Sequence, residues 1–446
     1  MTNNNANTSK KITNFLLDNI VTIVFVLFVA FGFYAADGLA PSALINEVLM
    51  RFFRNGLLVL SLIIPVMAGL GLNFGIVVGA LAGVNALILT RYFEMAGMGG
   101  LMLSFLVALP LALLFGYLTG KLYNKTRGQE MIAALIVSFF AEGVHLVFAL
   151  FVIGGIIPVY ANHRMIIPGG MGVRATFDMG QHPDLIRMPE LETAGMRLAM
   201  DWLWRVNFLH AALFIAVATL IYLIVRRMLG KRNPSIAQMP TVVFFINCAV
   251  CVGFIAIAAF SLFVPGSAMG MELANVNPIP GVTALVILGF CLLTTYFTKT
   301  KLGQDCRSVG QSQHIAKVSG IDVDRTRIIA TMISTVLAAW GMIIFLQEVG
   351  TVGTYTSHRM VGMFSVAAIL VGGATTTKAS VKNVIVGLIL FHAMFVVSPA
   401  IGRYISNDEG VAEYLRTFMV YGVIGFSLGL YAWRTLKAAR DKDALD

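Results

Sequence analysis

The chain has 446 residues, of which 58% are hydrophobic and only 12% are charged, and its formal net charge at pH 7 is +10. Because soluble proteins use about twice this share of charged residues, the composition excludes a soluble enzyme and predicts a chain covered mainly by lipid. No basic block is long enough to follow a phosphate backbone, so we expect no nucleic-acid partner. The four cysteines lie in or beside apolar stretches, which argues against a disulfide framework and a zinc site.

Twelve apolar runs have the composition of membrane-crossing helices. A crossing needs about 20 apolar residues, and the tenth run is too short unless its helix is broken or begins earlier. The first run follows Lys10 and Lys11 without a convincing signal-peptide cleavage site, so it is interpreted as an uncleaved anchor. The runs lie near 15–35, 56–72, 75–92, 99–120, 130–154, 207–225, 241–263, 281–298, 328–346, 361–373, 383–400 and 415–433.

The distribution of basic residues predicts the orientation, because lysine and arginine are retained on the cytoplasmic side. With the N-terminus inside, no lysine falls in an outer segment. The sequence therefore predicts an all-α polytopic membrane protein with about 12 transmembrane helices, cytoplasmic N- and C-termini and a single transmembrane domain over 1–446. The longest polar stretch, 155–206, becomes an outer loop, in which we expect an amphipathic surface helix over 188–205.

A glycine-rich stretch opens the third run. Pro65 and Gly69 precede it and are expected to break the second helix, and broken membrane helices usually line a cavity. Glycines at four-residue steps leave one helix face without side chains, so a neighbouring backbone can approach closely. Ordinary helix packing is the alternative to a role in a pathway. The candidate pathway or packing residues here are Gly71, Asn73, Gly75, Gly79 and Gly83.

A second interruption comes late in the chain, where Gly372, Gly373 and residues 374–378 separate two apolar segments. A pair of glycine-interrupted segments in the two halves of a chain points to a transporter with a pathway near the midplane. We therefore expect Gly372 and Gly373 to serve the same pathway or packing role as the first glycine stretch.

The segment 299–327, called the inner segment below, is polar and lies on the cytoplasmic side in this topology. Its sequence predicts short helices over 304–308 and 313–318, with turns at Gly310 and Gly320. Ile315, Ala316 and Ile321 are expected to form a small apolar face that docks into a protein groove. A plain surface loop between helices is the alternative.

The inner segment carries a family resemblance. The stretch GQDCRSVGQSQHIAKVSGIDVDRTR (303–327) resembles the coupling-loop signature in permease subunits of bacterial ATP-binding-cassette (ABC) importers of the branched-chain amino acid, ribose and nucleoside type. The two glycine stretches resemble the family's two characteristic glycine segments, in the same order and spacing. The residues that match the coupling signature are Gly303, Arg307, Val309, Gly310, Ala316, Gly320 and Ile321.

The resemblance implies an ABC importer permease fold in the bacterial cytoplasmic (inner) membrane, moving a small polar solute such as a sugar or a nucleoside. Residues 129–139 look slightly nearer to the nucleoside-type members. The implied partners are an ABC ATPase subunit that docks on the inner segment, a periplasmic or lipid-anchored substrate-binding protein, and a second permease subunit, identical or related, besides membrane lipid. Family members typically have about ten spans, so the region 171–280 is expected to add two helices and the outer loop.

The chain itself lacks the phosphate-binding loop that ATP hydrolysis needs. The nearest approach, GYLTGKL at 116–122, has the wrong spacing and no hydroxyl residue after its lysine. We therefore expect no enzymatic activity, no cofactor and no metal in this subunit, with ATP hydrolysis supplied by a separate one.

Glu142 and His145 are ionisable residues three positions apart on the fifth run, so they share a helix face. An ionisable group at the membrane centre is costly and usually has a partner or a pathway. The two side chains are therefore interpreted as a mutually satisfied pair, as substrate contacts or as a proton relay.

Two functions from other classes compete with an ABC permease. An ion-coupled secondary transporter would use the broken helices together with Glu142 and His145. An integral-membrane enzyme would use His163, His182 and Asp184 on the outer loop, although their spacing fits no metal-ligand pattern.

Overall fold

The computed structural model describes residues 20–35, 40–158, 165–167, 172–180, 195–232, 241–406 and 409–443. Each of the twelve apolar runs contains a helix. A π-helical turn, Phe148–Val152, extends the helix Glu130–Val147. The helices are α1 Ile20–Ala35, α2 Pro41–Leu60, α3 Ile63–Met67, α4 Ile76–Tyr92, α5 Gly97–Lys125, α6 Glu130–Val147, α7 Ala199–Leu203, α8 Phe208–Arg232, α9 Thr241–Phe263, α10 Ala268–Ala274, α11 Gly281–Phe297, α12 Lys301–Gln311, α13 Gln313–Val318, α14 Val323–Val349, α15 Val361–Val371, α16 Val381–Ser406 and α17 Glu409–Asp443.

The predicted class, an all-α polytopic membrane protein, is confirmed. Among the described residues, seven segments are long and apolar enough to cross a membrane, or eight if α11 and α12, bent by 71°, form one span. The helices α1, α4 and α15 are shorter apolar helices, so the count of twelve spans stays a prediction. With 11 residues, α15 is about 16 Å long, roughly half of the hydrocarbon core. The tenth run is therefore a half-length helix.

Helix α14 lies at the centre of the bundle. Two thirds of its apolar window is buried, and it packs chiefly against α5 and α4. A Cβ at Gly79 or Gly83 would lie 2.6 or 2.5 Å from a backbone oxygen of α14. These two glycines therefore allow close packing of α4 on α14, as the packing alternative predicted.

The expectation of one continuous glycine face over 71–83 is wrong in its first half. Gly69 and Gly71 have φ of +72° and +67°, in the left-handed region, so the chain leaves the helix there and α4 begins only at Ile76. Gly75 lies just before the first helical residue. The predicted helix break after Pro65 is present, at residues 68–75.

Two features lie outside this bundle. Helices α8 and α9 pack mainly on each other, and only 17% of each apolar window is buried. They lie in the region 171–280, where the resemblance predicts two additional helices. Short α10 attaches to α2 through the Ser42 hydroxyl, which donates to Glu272 at 2.8 Å. The pair α8 and α9 is therefore peripheral to the core formed by α4, α5 and α14.

The outer loop is held by two small antiparallel sheets. Strand β1 (Thr176–Asp178) pairs with β4 (Thr351–Gly353), and β2 (Arg205–Val206) pairs with β3 (Ile279–Pro280). The first sheet ties the loop to the connection between α14 and α15. Much of the predicted surface helix at 188–205 lies outside the described residues, and within its described part, 195–205, the helical residues are those of α7.

The α4–α14 contact predicts a difference between two glycine-to-alanine substitutions. Gly83→Ala places a methyl group against the backbone oxygen of Ala339, and overpacking of this kind lowers the free energy of unfolding by about 1–3 kcal/mol. Gly143→Ala on α6, where a Cβ meets no atom within 4 Å, is the matched control and should unfold like the parent. Thermal unfolding in detergent measures both, and equal melting temperatures would contradict the packing described.

Candidate functional site

The inner segment is a set of helices whose starts are fixed by its own polar side chains. Thr300, Ser312 and Asp322 each accept the backbone N–H three residues on, at 3.3, 3.3 and 3.0 Å, at the starts of α12, α13 and α14. Gly320, with φ of +81°, follows the end of α13 in the left-handed conformation typical after a helix. The sequence therefore sets both turns of this segment locally.

The predicted helix over 313–318 matches α13, and the predicted turn at Gly320 is present. The helix predicted over 304–308 lies within α12, but the predicted turn at Gly310 is wrong: α12 runs from Lys301 to Gln311, so Gly310 lies inside a helix. The physical reason is a tertiary contact. A Cβ at Gly310 would lie 2.1 Å from the Met67 carbonyl oxygen, and the Cα of Gly310 closely approaches Gly69. Gly310 thus lets α12 pack directly on the break after α3.

The apolar face of the inner segment differs from the expected one. Val309, Ala316 and Val323 form a small buried cluster, and Ile321 packs against it. Ile315 is 66% exposed and Val318 is 77% exposed. Of the three residues expected to face a partner, only Ile315 points outward, because the small Ala316 side chain lies against the segment's own core. The outward apolar pair is Ile315 and Val318.

The remaining residues of the signature shape the bend and the surface. A Cβ at Gly303 would lie 2.0 Å from the Phe297 carbonyl oxygen, so glycine there permits the 71° bend between α11 and α12. Arg307 is exposed on α12. Gly303 is therefore structural, whereas Arg307 is available at the surface.

A cleft of about 430 Å³ brings the three sequence motifs together at the inner face. It joins the break after α3, the helix α12 and the loop after α15. Two basic side chains contribute to it. The residues that line the cleft include Met67, Arg307, Gly310, Gln311, Thr377 and Lys378.

The late glycines contribute to packing at this inner end. A Cβ at Gly372 would lie 1.8 Å from the Asn383 carbonyl oxygen, and the Asn383 amide donates to the Gly372 carbonyl at 2.7 Å. Gly373 has φ of +85°. The two glycines therefore let the chain turn tightly between α15 and α16.

Asn73 fastens the first break to α5. Its side-chain oxygen accepts from the Tyr123 hydroxyl at 2.8 Å and from the Gly75 N–H at 3.0 Å. A Cβ at Gly75 would lie 2.2 Å from that hydroxyl. Because Asn73 and Tyr123 are buried, these bonds satisfy the Asn73 side-chain oxygen and the Gly75 N–H inside the protein.

Two ion pairs join the α5–α6 connection to the first turns of α14. Arg327 is fully buried and lies 2.5 Å from Glu130. Arg127 pairs with Asp324 at the surface, where both side chains are about half exposed. The end of the inner segment is therefore held to the bundle by one buried and one exposed contact.

Glu142 and His145 have different partners. Glu142 accepts from Nε of Arg359 at 2.8 Å. His145 Nε2 donates to the Thr354 carbonyl at 2.8 Å, and its Nδ1 lies 2.6 Å from the Asn85 side chain. The interpretation as a mutual pair is wrong, because each side chain bonds to another element: Glu142 to Arg359, and His145 to Thr354 and Asn85.

His358 completes this group, called the midplane cluster (Glu142, His145, His358 and Arg359). Its ring is fully buried, 5.5 Å from the His145 ring, and its Nε2 lies 3.8 Å from Glu142. Neither ring nitrogen of His358 has a hydrogen-bond partner among the described residues. Buried polar atoms of this kind are rare in folded proteins and are found where a site is functional or strained.

The cluster lies deep in the membrane. Glu142 is about 18 Å along α6 from Glu130 at about 1.5 Å per residue, in a span that runs from Glu130 to Val152. An ionised side chain at the centre of a helix span costs about 2.5–3.5 kcal/mol unless it is paired or faces protein or water. The Arg359 side chain is 52% exposed, so its open side must meet protein or water rather than lipid.

Sequence reasoning missed several residues of these sites. His358 and Arg359 directly precede the tenth run. Because that run is too short to span the membrane alone, its shortness indicates that the residues before it also lie within the membrane. Arg327 and Glu130 lie at the ends of predicted elements and far apart in the chain, so no local sequence pattern predicts that they form an ion pair. His163, His182 and Asp184, the candidates for an enzyme, lie outside the described residues.

The family described as branched-chain amino acid transport system / permease component matches residues 190–428. This is more than half of the chain, and it includes the inner segment and α14 to α16. The chain belongs to this family. The permease is therefore a multi-pass protein of the inner membrane and an ABC importer permease by family, as the resemblance implied.

Curated relatives are similar over a limited stretch. The galactose/methyl galactoside import permease protein MglC of Salmonella typhimurium is 27% identical over 165 residues, which are 36% of this chain and 45% of the relative. MglC of Haemophilus influenzae is 28% identical over 167 residues, or 36% and 49%. The xylose transport system permease protein XylH of H. influenzae is 27% identical over 159 residues, or 35% and 38%. Each match thus spans less than half of the relative. No solved structure matches the chain.

The two ion pairs of the permease predict unequal effects on stability. Glu130→Gln leaves the buried Arg327 charge without compensation, which lowers the free energy of unfolding by about 3–5 kcal/mol. Arg127→Gln removes the exposed pair and should cost no more than about 1 kcal/mol. Unfolding in detergent measures both, and a loss as large for Arg127→Gln as for Glu130→Gln would contradict the burial described.

The packing of α12 predicts an unreactive thiol. Cys306 is buried, and burial, with the neighbouring Asp305 charge, raises the pKa of its thiol to about 12. Because the thiolate is the reactive form, a variant with Cys306 as its sole cysteine should resist N-ethylmaleimide at pH 7 until it is denatured. Ser308→Cys, exposed on the same helix, is the control in a cysteine-free background and should react at once. Similar labelling rates would show that α12 does not pack as described.

Proposed function

We propose that this permease is the membrane subunit of an ATP-driven ABC import system for a small polar, sugar-like solute, and that a separate ATPase subunit docks on the inner segment. The observation that carries the proposal is the outward pair Ile315 and Val318 on α13. Two apolar side chains exposed on an otherwise polar cytoplasmic segment favour a protein contact that covers them.

The packing beneath this pair supports transmission of a movement into the membrane. Helix α12 touches the break after α3 backbone to backbone at Gly310 and Met67. The other end of the inner segment continues directly into α14, which packs on α4 and α5. A displacement of the inner segment therefore moves the break and the central helix together. To switch the pathway, the ATPase must favour one permease conformation by a few kcal/mol.

The names of the relatives support a sugar as the solute. Two are named for galactose and methyl galactoside and one for xylose. This favours a sugar over the nucleoside that residues 129–139 suggested. A substrate-binding protein outside and a second permease subunit, identical or related, complete the proposed system, as in the family that the sequence resembles.

Co-purification tests the proposed docking. The tagged permease, expressed in its own cells and purified in mild detergent, should carry an ATPase chain and release phosphate from ATP. Val318→Asp places a charge in the apolar contact and should reduce the bound ATPase and the phosphate release by about tenfold or more. Lys317→Gln, next to it on α13, is the matched control and should behave like the parent.

Three outcomes would count against the proposal. A parent permease that imports solute without any bound ATPase chain favours the ion-coupled transporter. Full ATPase binding by Val318→Asp would place the docking surface elsewhere. A solute-uptake assay on Gly310→Leu should show an inserted protein that no longer imports solute, and normal uptake by this variant would show that α12 does not transmit the movement.

A further inference from the structure

We propose that a pocket beside the midplane cluster contacts the solute during transport and that it takes neutral, polyhydroxylated molecules. This inference rests on the proposed import function and names a site for it. The pocket has a volume of about 640 Å³ and lies between α4, α6, α15 and α17. Glu142 and Arg359 line it together with the rings of Phe74, Phe139 and Tyr421.

The depth of the pocket matches a position on a transport route. Glu142 lies near the middle of the α6 span, and α15 begins at Val361 beside it, with Met360 and Gly362 in the pocket wall. The preceding residues, 354–360, form turns rather than helix. Backbone that leaves the helix at this depth occurs only where protein or a water-filled cavity covers it, and binding sites of transporters typically lie at such interrupted helices.

The exposed side of Arg359 meets water or another protein chain. Its side chain is 52% exposed, and a guanidinium group at this depth does not face hydrocarbon. Phe139, 70% exposed, and Tyr421, 50% exposed, belong to the same pocket lining. The proposal therefore requires that the pocket, with its charged pair and aromatic rings, opens onto an aqueous space in the assembled system.

The chemistry of the pocket selects the class of solute. Glu142 and Arg359 neutralise each other, so an ion or a zwitterionic amino acid would have to disturb the pair. Arg359 and His358 both approach Oε1 of Glu142, and Oε2 can accept a hydrogen bond while the guanidinium donates one. A hydroxyl group both donates and accepts. Aromatic walls with few polar groups suit the remaining apolar faces of a sugar ring.

Thiol labelling tests whether water reaches the pocket. In the assembled complex and a cysteine-free background, Phe139→Cys should react with a charged, membrane-impermeant methanethiosulfonate reagent about tenfold or more faster than Phe140→Cys, because charged reagents do not enter hydrocarbon. Phe140 is the next residue on α6 and equally exposed, but it lines a different, apolar cavity. Equally slow labelling at both positions would mean that lipid or a second subunit covers the pocket and would overturn the inference.

Uptake in proteoliposomes tests the contact with the solute. With D-xylose or D-galactose, Glu142→Gln and Phe139→Ala should each lower the solute imported per ATP hydrolysed by about tenfold. For Glu142→Gln this is the loss expected for one charge-assisted contact, and for Phe139→Ala it is the loss expected for one apolar aromatic contact. Phe140→Ala should match the parent, and Phe139→Ala removes no polar partner, so it keeps the test valid if Glu142→Gln fails to fold. If the parent imports both sugars and Phe139→Ala does so equally well, this inference fails while the import function stands. Absence of ATP-driven uptake by the parent would instead defeat the import function itself.

Discussion

Hydrocarbon offers no hydrogen-bond partner to a backbone that leaves the helix and no compensation to a charge, and this constraint governs two interruptions of the permease, the break at 68–75 and the turns at 354–360. At the first, the Asn73 side chain accepts from the Tyr123 hydroxyl and the Gly75 N–H, and α12 packs closely against the same segment. At the second, the turns at 354–360 lie against His145 and Glu142. Both segments are therefore held by contacts inside the protein. A movement of the elements that they contact would move them as well.

One helix connects the two interruptions. Helix α14 begins at the end of the inner segment, where Arg327 and Glu130 hold it, and ends at the strand β4 that leads into the turns beside Glu142. Along its length it packs on α4, whose Gly79 and Gly83 permit backbone contact. A force applied at the cytoplasmic face thus has a continuous packed route to the midplane cluster. On the outer side, the pairing of β1 with β4 attaches the outer loop to the end of this packed route.

Local signals predicted the parts of this arrangement that depend on neighbouring residues in the chain. The twelve apolar runs, the helix over 313–318, the turn at Gly320 and the broken helix after Pro65 all follow from side chains a few positions apart. The role of Gly310 could not be predicted, because Met67 opposes it across the fold. The partners of Glu142 and His145 were missed for the same reason: Arg359, Thr354 and Asn85 are distant in sequence. Helical periodicity placed the two residues on one face but carried no information on what faces them.

We propose that this permease is driven at its inner face by ATP hydrolysis rather than by an ion gradient. Sugar uptake into right-side-out membrane vesicles loaded with ATP, measured with labelled D-xylose or D-galactose, tests it most directly. Uptake should continue when ionophores abolish the proton and sodium gradients and should stop when vanadate blocks ATP hydrolysis. Uptake that collapses with the gradients and persists in vanadate would contradict the account.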